Sequence, residues 1–468
     1  MSDRRFQPPS PALVEEVLAA ACSQGADFAE LFWEDTHTHS VNLIDQKIEN
    51  ALRNHIRGAG IRVVKGLRST YVSTADVGRE GLLKAAREAA AACCDGPALV
   101  RPQPFVPLSF DDLHPCRLSP TEVQTAEKAA LLHLADRAAR SCGEEIAQVS
   151  ATLADRVQRV LIANTEGLWA EDRRARTRMG ISAVASDGAQ NQTGFEGPGR
   201  SAGYEIFAGE VDVEAAAREA ARTALTMLHA PECPGGRMPV AIENGFGGVL
   251  FHEACGHSLE SEAVGRGNSE FAGRLGEKIA GEKVTAIDDG TLPGAWGSTN
   301  IDDEGHPTQR TVLIENGILK SYMVDWLGGR RMGLPSTGSG RRESYRYAPV
   351  SRMRNTFIAP GPDENEAIIR SMDKGLYCKK MGGGSVNPVT GEFNFAVSEG
   401  YLVEHGEITT PVRGASLIGT GSQVLLDIDM VGKDLAHGQG MCGAASGSVP
   451  TNVGQPLIRV REITVGGK

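Results

Sequence analysis

The chain lacks an excess of positive charge. Its 48 Lys and Arg are outnumbered by 59 Asp and Glu, a formal net charge of −11, so the basic footprint of a nucleic-acid binder is missing. It also lacks a long apolar run. Nowhere do 18 uncharged apolar residues follow one another, which excludes a membrane-spanning helix and leads us to expect a soluble protein. The N-terminal segment MSDRRFQPPS is followed by an amphipathic stretch broken by Glu15 and Glu16. No signal-peptide apolar region or cleavage site is expected there. The nine cysteines are odd in number and lack the dense pairing of a secreted disulfide scaffold; they point to a reducing cytosol and a cytoplasmic protein. No Walker lysine follows Thr337-Gly338-Ser339-Gly340, and no GxGxxG follows a strand, so nucleotide binding has no support.

What is present is an ordinary globular composition, 41% hydrophobic and 23% charged with 56 Gly. A length of 468 residues corresponds to roughly three domains or two large ones. Leu13, Val17, Leu18 and Cys22 recur at helical spacing within Pro11 to Gln24, and Gly25 supplies a stop. From Phe28 to Thr74, short runs such as Ala29–Trp33, Ser40–Ile44 and Ile61–Val64 predict an antiparallel meander, followed by an Ala-rich helix from about Glu80 to Cys94. After a Pro-rich link, a helix from Pro120 to about Cys142 precedes expected strands at Ile146–Leu153, Gln158–Asn164 and from Met179, then a helix from about Val213 to His229. AAREAA occurs at both Ala85–Ala90 and Ala216–Ala221, with Gly60-Ile61 and Gly180-Ile181 similarly placed upstream. A diverged repeat of two units, about 11–97 and 120–230, is one reading; coincidence between Ala-rich helices is the other.

Pro231, Pro234, Gly235 and Gly236 mark a boundary between an N-terminal α+β domain, 1–233, and a β-rich C-terminal domain, 234–468. The second half is expected to hold helices near 246–260 and 363–374, with strands at Ser385–Val389, Glu392–Val397 and Gly400–Val403. Close strand packing accounts for Gly382-Gly383-Gly384. The fold class is α+β.

The densest chemistry lies in His252-Glu253-Ala254-Cys255-Gly256-His257, an HExxxH pattern. Two imidazoles suit zinc, and Glu253 can accept the proton of a metal-bound water. Histidines five residues apart sit about 140° apart on an ideal helix. A π-turn or helix break at Gly256 is therefore expected. A catalytic zinc usually has three protein ligands, and spacing leaves the third open among Cys255, Cys442, His306, His437 and the acidic group Asp302-Asp303-Glu304.

Ordered blocks carry this further: HEACGHSLE (252–260), IDDEGHPTQRTVLIENGIL (301–319), SRMRNTFIAPG (351–361), GGGSVNPVTGEFNFAVSEGYLVEHG (382–406), PVRGASLIGTG (411–421) and GMCGAASGSVPTNVGQPLIRV (440–460). Over most of its length the chain resembles the TldD/PmbA family of bacterial and archaeal peptidases, and its intact metal motif resembles that of the TldD-like subunit rather than the PmbA-like subunit, also called TldE. The resemblance implies one zinc per chain held by His252, His257 and Cys442, with Glu253 as general base. It also implies cleavage of unfolded or short peptides held as an added strand in an enclosed cavity, and a dimer with a PmbA/TldE-like subunit or a second copy. Strand addition reads backbone hydrogen bonds, so selectivity for side chains is low. Where the family commonly has an aliphatic residue, this chain has Cys255, a second thiol beside the motif.

Two rival readings come from other classes. A noncatalytic binding or scaffold subunit is one, opposed by the intact His252, Glu253 and His257; a hydrolase using Cys442 as nucleophile is the other. Asp302-Asp303-Glu304-Gly305 reads as an acidic turn in preference to a second cation site. Arg330, Arg331, Arg341 and Arg342 flank a Gly/Ser-rich loop, where they are either solvated or receive a peptide carboxylate or backbone carbonyls. Cys93-Cys94 reads as buried at a helix end.

Overall fold

The computed structural model describes residues 7–387 and 390–467. Met1 to Phe6 of the N-terminal segment and Val389, the end of the expected strand Ser385–Val389, lie outside them. Among the described residues no helix is long and apolar enough to cross a membrane. The architecture is α+β.

The first half is built on one eight-stranded sheet, and its strands are longer than the sequence pattern predicts. Ala29–Trp33 and Ser40–Ile44 are parts of a single strand, Phe28–Ile44, paired along its length with Lys47–Lys65 on one side and Ile146–Asn164 on the other. Leu168–Ser186 follows next in the sheet. The polar stretch between the two expected runs, Asp35 to His39, reads as a gap in sequence yet holds strand geometry because both neighbours supply its backbone hydrogen bonds.

Side-chain alternation explains how that strand carries such mixed chemistry. Leu31 and Trp33 pack under the helices Pro11–Ala21 and Arg79–Cys93, whereas Val41 and Leu43 pack under Thr125–Arg140 and Val213–His229. All four are odd-numbered, so both helix pairs cover one face, with Asp35, His37 and His39 between them. The first pair brackets three strands and the second pair four, and the two AAREAA segments lie in the second helix of each pair. The even-numbered face carries Glu30, Phe32 and Glu34. It packs against the second half through Phe32, Val160, Ile162, Ile301 and Tyr345.

The second half contains a closed ring of strands. Lys374–Val386 pairs with Gly236–Ile242, which pairs with Ile458–Gly466, then Ser416–Thr420, then Glu392–Glu404, which returns to Lys374–Val386. Its interior contributes Val240, Leu376, Phe395, Leu417 and Val460 to the largest apolar core. A Cβ on Gly384 would lie 2.1 Å from Phe395 Cδ1, which is the close strand approach expected of the glycine run. Beside the ring, a six-stranded sheet ends in the hairpin of Ala436–Ala444 and Gly447–Gln455. The helix expected near 363–374 is shorter, Asn365–Arg370, because Gly361-Pro362 precedes it and Lys374 already begins a strand.

Candidate metal centre

The segment expected as one helix near 246–260 is four short pieces. A 3-10 turn at Phe246–Gly248 leads into the helix Val249–Ala254; Cys255 leaves helical geometry at φ −134°, and Gly256–Leu259 form a second 3-10 turn before the helix Ser261–Val264. The break falls between the two histidines, and no π-turn is needed. It is fixed by packing: Cys255 is fully buried in the core, and a Cβ on Gly256 would lie 2.2 Å from Met353 Sδ. The broken path brings the His252 and His257 rings to 5.0 Å, edge to face.

Cys442 comes from the strand Ala436–Ala444, opposite Val449 in the hairpin. Its Sγ lies 3.3 Å from His257 Nε2. One ligand atom each from His252, His257 and Cys442 falls within 4.8 Å of the others. Arg352, itself buried, donates to the Cys442 carbonyl, to Ser446 Oγ at 3.0 Å and to the Gly447 carbonyl at 2.9 Å. These bonds hold the hairpin turn against the histidine segment.

The other candidates for a third ligand are elsewhere. Cys255 lies in the apolar core, where burial pushes its thiol well above the ordinary range. His437 packs edge-on against Phe357. The His306 backbone N–H donates to Asp302 Oδ1, in a buried turn whose acids are engaged by the protein itself. Asp303 takes Arg174 at 2.5 Å and Glu304 takes Arg62 at 2.6 Å. The four arginines are likewise committed. Arg341 and Arg342 are buried rather than solvated, Arg342 against Glu30 at 2.7 Å, while Arg330 pairs with Asp27 at 2.8 Å and Arg331 lies 3.7 Å from Glu262.

Electrostatics divide the two histidines. Burial holds His252 well below the ordinary imidazole range and therefore neutral, and its Nδ1 has no hydrogen-bond partner among the described residues. For His257 burial acts in the same direction but is outweighed by Glu260, whose carboxylate lies 3.2 Å from Nδ1, and by Cys442, so its pKa rises well above the ordinary value. Glu253 sits 3.9 Å from His257 Nε2. Burial raises its carboxyl pKa, His257 opposes that, and Glu260 adds to it. The residues fit a bound cation: two nitrogens and a sulfur are a zinc donor set, an imidazole nitrogen is buried without a partner, and a carboxylate orients the second imidazole from behind. Sequence reasoning missed Glu260 and Arg352. Glu260 stands one 3-10 turn beyond His257, a spacing that could have drawn attention to it.

A second grouping was also missed. Asp35, His37 and His55 likewise have ligand atoms within 4.8 Å of one another. His37 and His55 are directly opposite on neighbouring strands, their rings stacked at 4.1 Å, with Asp35 Oδ1 at 3.4 and 3.2 Å. Both imidazoles are exposed, at 44% and 49%.

Family models described as PmbA/TldA metallopeptidase domain 1, central domain and C-terminal domain match residues 29–93, 118–228 and 235–467. A metalloprotease TldD homolog of Haemophilus influenzae is 38% identical over 94% of this chain and 93% of its own. A zinc metalloprotease TldD homolog of Saccharolobus solfataricus is 33% identical over 50% of this chain and 52% of its own. Among solved structures, TldE from Thermococcus kodakarensis superposes with a TM-score of 0.76 at 20% identity, covering 97% of this chain and all of that one. A Thermotoga maritima protein described as a modulator of a DNA gyrase gives 0.77 at 22%, covering 97% and 99%. The two superpositions bear on the fold alone. Sequence identity of this extent with a TldD homolog, together with three matching domain models in order, makes the chain a member of the PmbA/TldD family of metallopeptidases.

Proposed function

We propose that the chain is a zinc peptidase that cuts unfolded or short extended peptides, with one zinc per chain held by His252, His257 and Cys442 and with Glu253 as general base. The observation that carries this reading is the approach of those three ligand atoms to within 4.8 Å beside a carboxylate. Bound zinc supplies Lewis acidity, lowering the pKa of water and polarising a peptide carbonyl. Glu253, whose pKa is raised by burial, takes the proton of the attacking water and passes it to the leaving amine. Glu260 fixes the His257 ring so that Nε2 faces the ligand set, and Arg352 keeps Cys442 in register. Ala436–Ala444 is the outermost strand of its sheet, so an extended peptide can add alongside it by backbone hydrogen bonds. The nine free cysteines suit a reducing, cytoplasmic setting. A homologous TldE-like subunit or a second copy completes the enclosed chamber in this reading.

A cysteine-nucleophile reading draws on the same 3.3 Å contact between Cys442 and His257. Elemental analysis of protein purified without added metal separates the two. The zinc reading expects about one zinc per chain in the wild type and loss of it in Cys442→Ala. Metal-free wild type with alkylation-sensitive, chelator-resistant peptidase activity supports the nucleophile instead.

A further inference from the structure

The strand Ala436–Ala444, which carries Cys442, offers an extended peptide only a short stretch of open edge. Its neighbour in the hairpin turns alternate residues toward it. Asn452 gives its N–H to the Arg354 carbonyl on the far side, so Val449 and Thr451 face Cys442 and Gly440. The N–H and C=O groups of Gln439, Met441 and Gly443 therefore point outward. At one end that edge is already taken. His437 is bridged by Gly245, and the Gln439 carbonyl accepts from Arg178 Nη2 at 3.1 Å. Beside it the Trp296 indole donates to the Gly440 carbonyl at 2.9 Å, with the Arg178 guanidinium 5.6 Å from the centre of the Trp296 ring. Met441 and Gly443, on either side of Cys442, keep outward backbone groups that no strand among the described residues pairs with.

Arg178 is a half-buried cation with nothing to balance its charge. Its Nε donates to the Gly197 carbonyl at 3.2 Å and its Nη2 to Gln439, and neutral carbonyls fill donor positions without cancelling charge. Burial pushes its pKa below the ordinary range, and no charged neighbour acts against or with that. Arg200, in the adjoining strand, differs in lying 3.4 Å from Glu210. Arg178 Nη1 has no hydrogen-bond partner among the described residues, and unlike the buried His252 Nδ1 it is not closed off from solvent. A planar guanidinium with spare donors at the end of a strand edge suits a carboxylate.

We propose that Arg178 receives the C-terminal carboxylate of the peptide substrate, a placement that rests on the zinc peptidase reading and makes the chain a trimmer of C termini. The peptide runs antiparallel to Ala436–Ala444, bonded to Met441 and Gly443, and ends where Gly245, Arg178 and Trp296 close the edge. Cys442 stands three residues beyond Gln439, about 10 Å along a strand. A carbonyl at the metal is then about two or three residues from the bound carboxylate.

One unstructured sequence, made as the free acid and as the C-terminal carboxamide, tests this on the zinc-loaded full chain. The expected kcat/KM is about 10- to 100-fold higher for the acid, with C-terminal fragments of about two or three residues as first products by mass spectrometry. In Arg178→Gln that preference should disappear. Equal kcat/KM for the two peptides in the wild type overturns the proposal, as does an undiminished preference in the variant. Binding separates this from a failure of the peptidase reading. By fluorescence anisotropy, Glu253→Gln should hold the acid about 10- to 100-fold more tightly than the amide, and the double variant with Arg178→Gln should not discriminate. If the wild type cleaves neither peptide while binding still discriminates, the peptidase reading fails and the carboxylate site stands. Indifferent binding overturns the carboxylate site whatever the activity. Should Arg178→Gln fail to fold, Arg178→Lys keeps the charge without the two-pronged donor; its preference should narrow, and an unchanged one overturns the proposal.

Discussion

Among the described residues, two places bring two histidines and a third ligand-type side chain within 4.8 Å of one another, and they are built in opposite ways. Asp35, His37 and His55 meet on adjacent strands, where directly opposed residues are close whatever their identity. Their imidazoles are open to water, and Asp35 Oδ1 already contacts both rings. His252, His257 and Cys442 meet only because a helix breaks at Cys255 and a distant hairpin is pinned over it by Arg352. There the His252 Nδ1 stays buried without a partner, an arrangement that costs about 1–3 kcal/mol unless something else compensates. Convergence is easily reached on a sheet surface. Convergence in the interior, with Glu260 behind one ring, is what distinguishes a supported site.

The sharpest way to break this contrast is to remove the base and the thiolate separately. Glu253→Gln should keep the metal and lower kcat by about 10²- to 10⁴-fold, measured on an unstructured peptide with metal content determined on the same sample. Cys442→Ala should lose both metal and activity. Peptidase activity retained in Glu253→Gln would sink the proposed mechanism.

Glu260→Gln has a smaller and more diagnostic effect. It leaves every proposed ligand in place but removes the charge behind His257, so zinc affinity should fall about 10- to 100-fold in a competition titration with a chelator. The pH profile should move too. Burial raises the Glu253 carboxyl, and Glu260 raises it further; a general base must be deprotonated, so kcat/KM falls as pH drops through that raised value. Without the Glu260 charge the Glu253 pKa falls, and the acid limb moves to lower pH. An unmoved limb would mean that Glu253 is not the titrating base.

How much of this was legible in the sequence follows from where each signal lies. HExxxH placed His252, Glu253 and His257, and the five-residue spacing already required a break, because an intact helix cannot present both rings. Cys442 was indistinguishable from Cys255 by spacing; only the resemblance separated them, since contact between residues 257 and 442 depends on the whole chain path. The long strands were under-read at Asp35–His39, where polar residues conceal pairing that both neighbours enforce. Arg341 and Arg342 read as solvated because charged residues are rarely fully buried without partners, and those partners, Glu30 and the carbonyls of Met353 and Pro450, lie on other elements. Local pattern reports a residue's own element well and its distant counter-charge not at all.

The smallest expected effect sharpens the comparison from the other side. His55→Ala removes one imidazole of the surface trio, together with its 3.2 Å contact to Asp35 and its stacking on His37. A contact whose imidazole is half open to water contributes about 0–1 kcal/mol, and the strand remains paired through its backbone. Denaturant unfolding should therefore shift by less than about 1 kcal/mol, with metal content and peptidase activity equal to wild type. The result that would invert the contrast is loss of the co-purifying metal in His55→Ala with its retention in Cys442→Ala. That outcome would make the exposed trio the real metal site, and the unpartnered His252 nitrogen a cost that the fold bears for another reason.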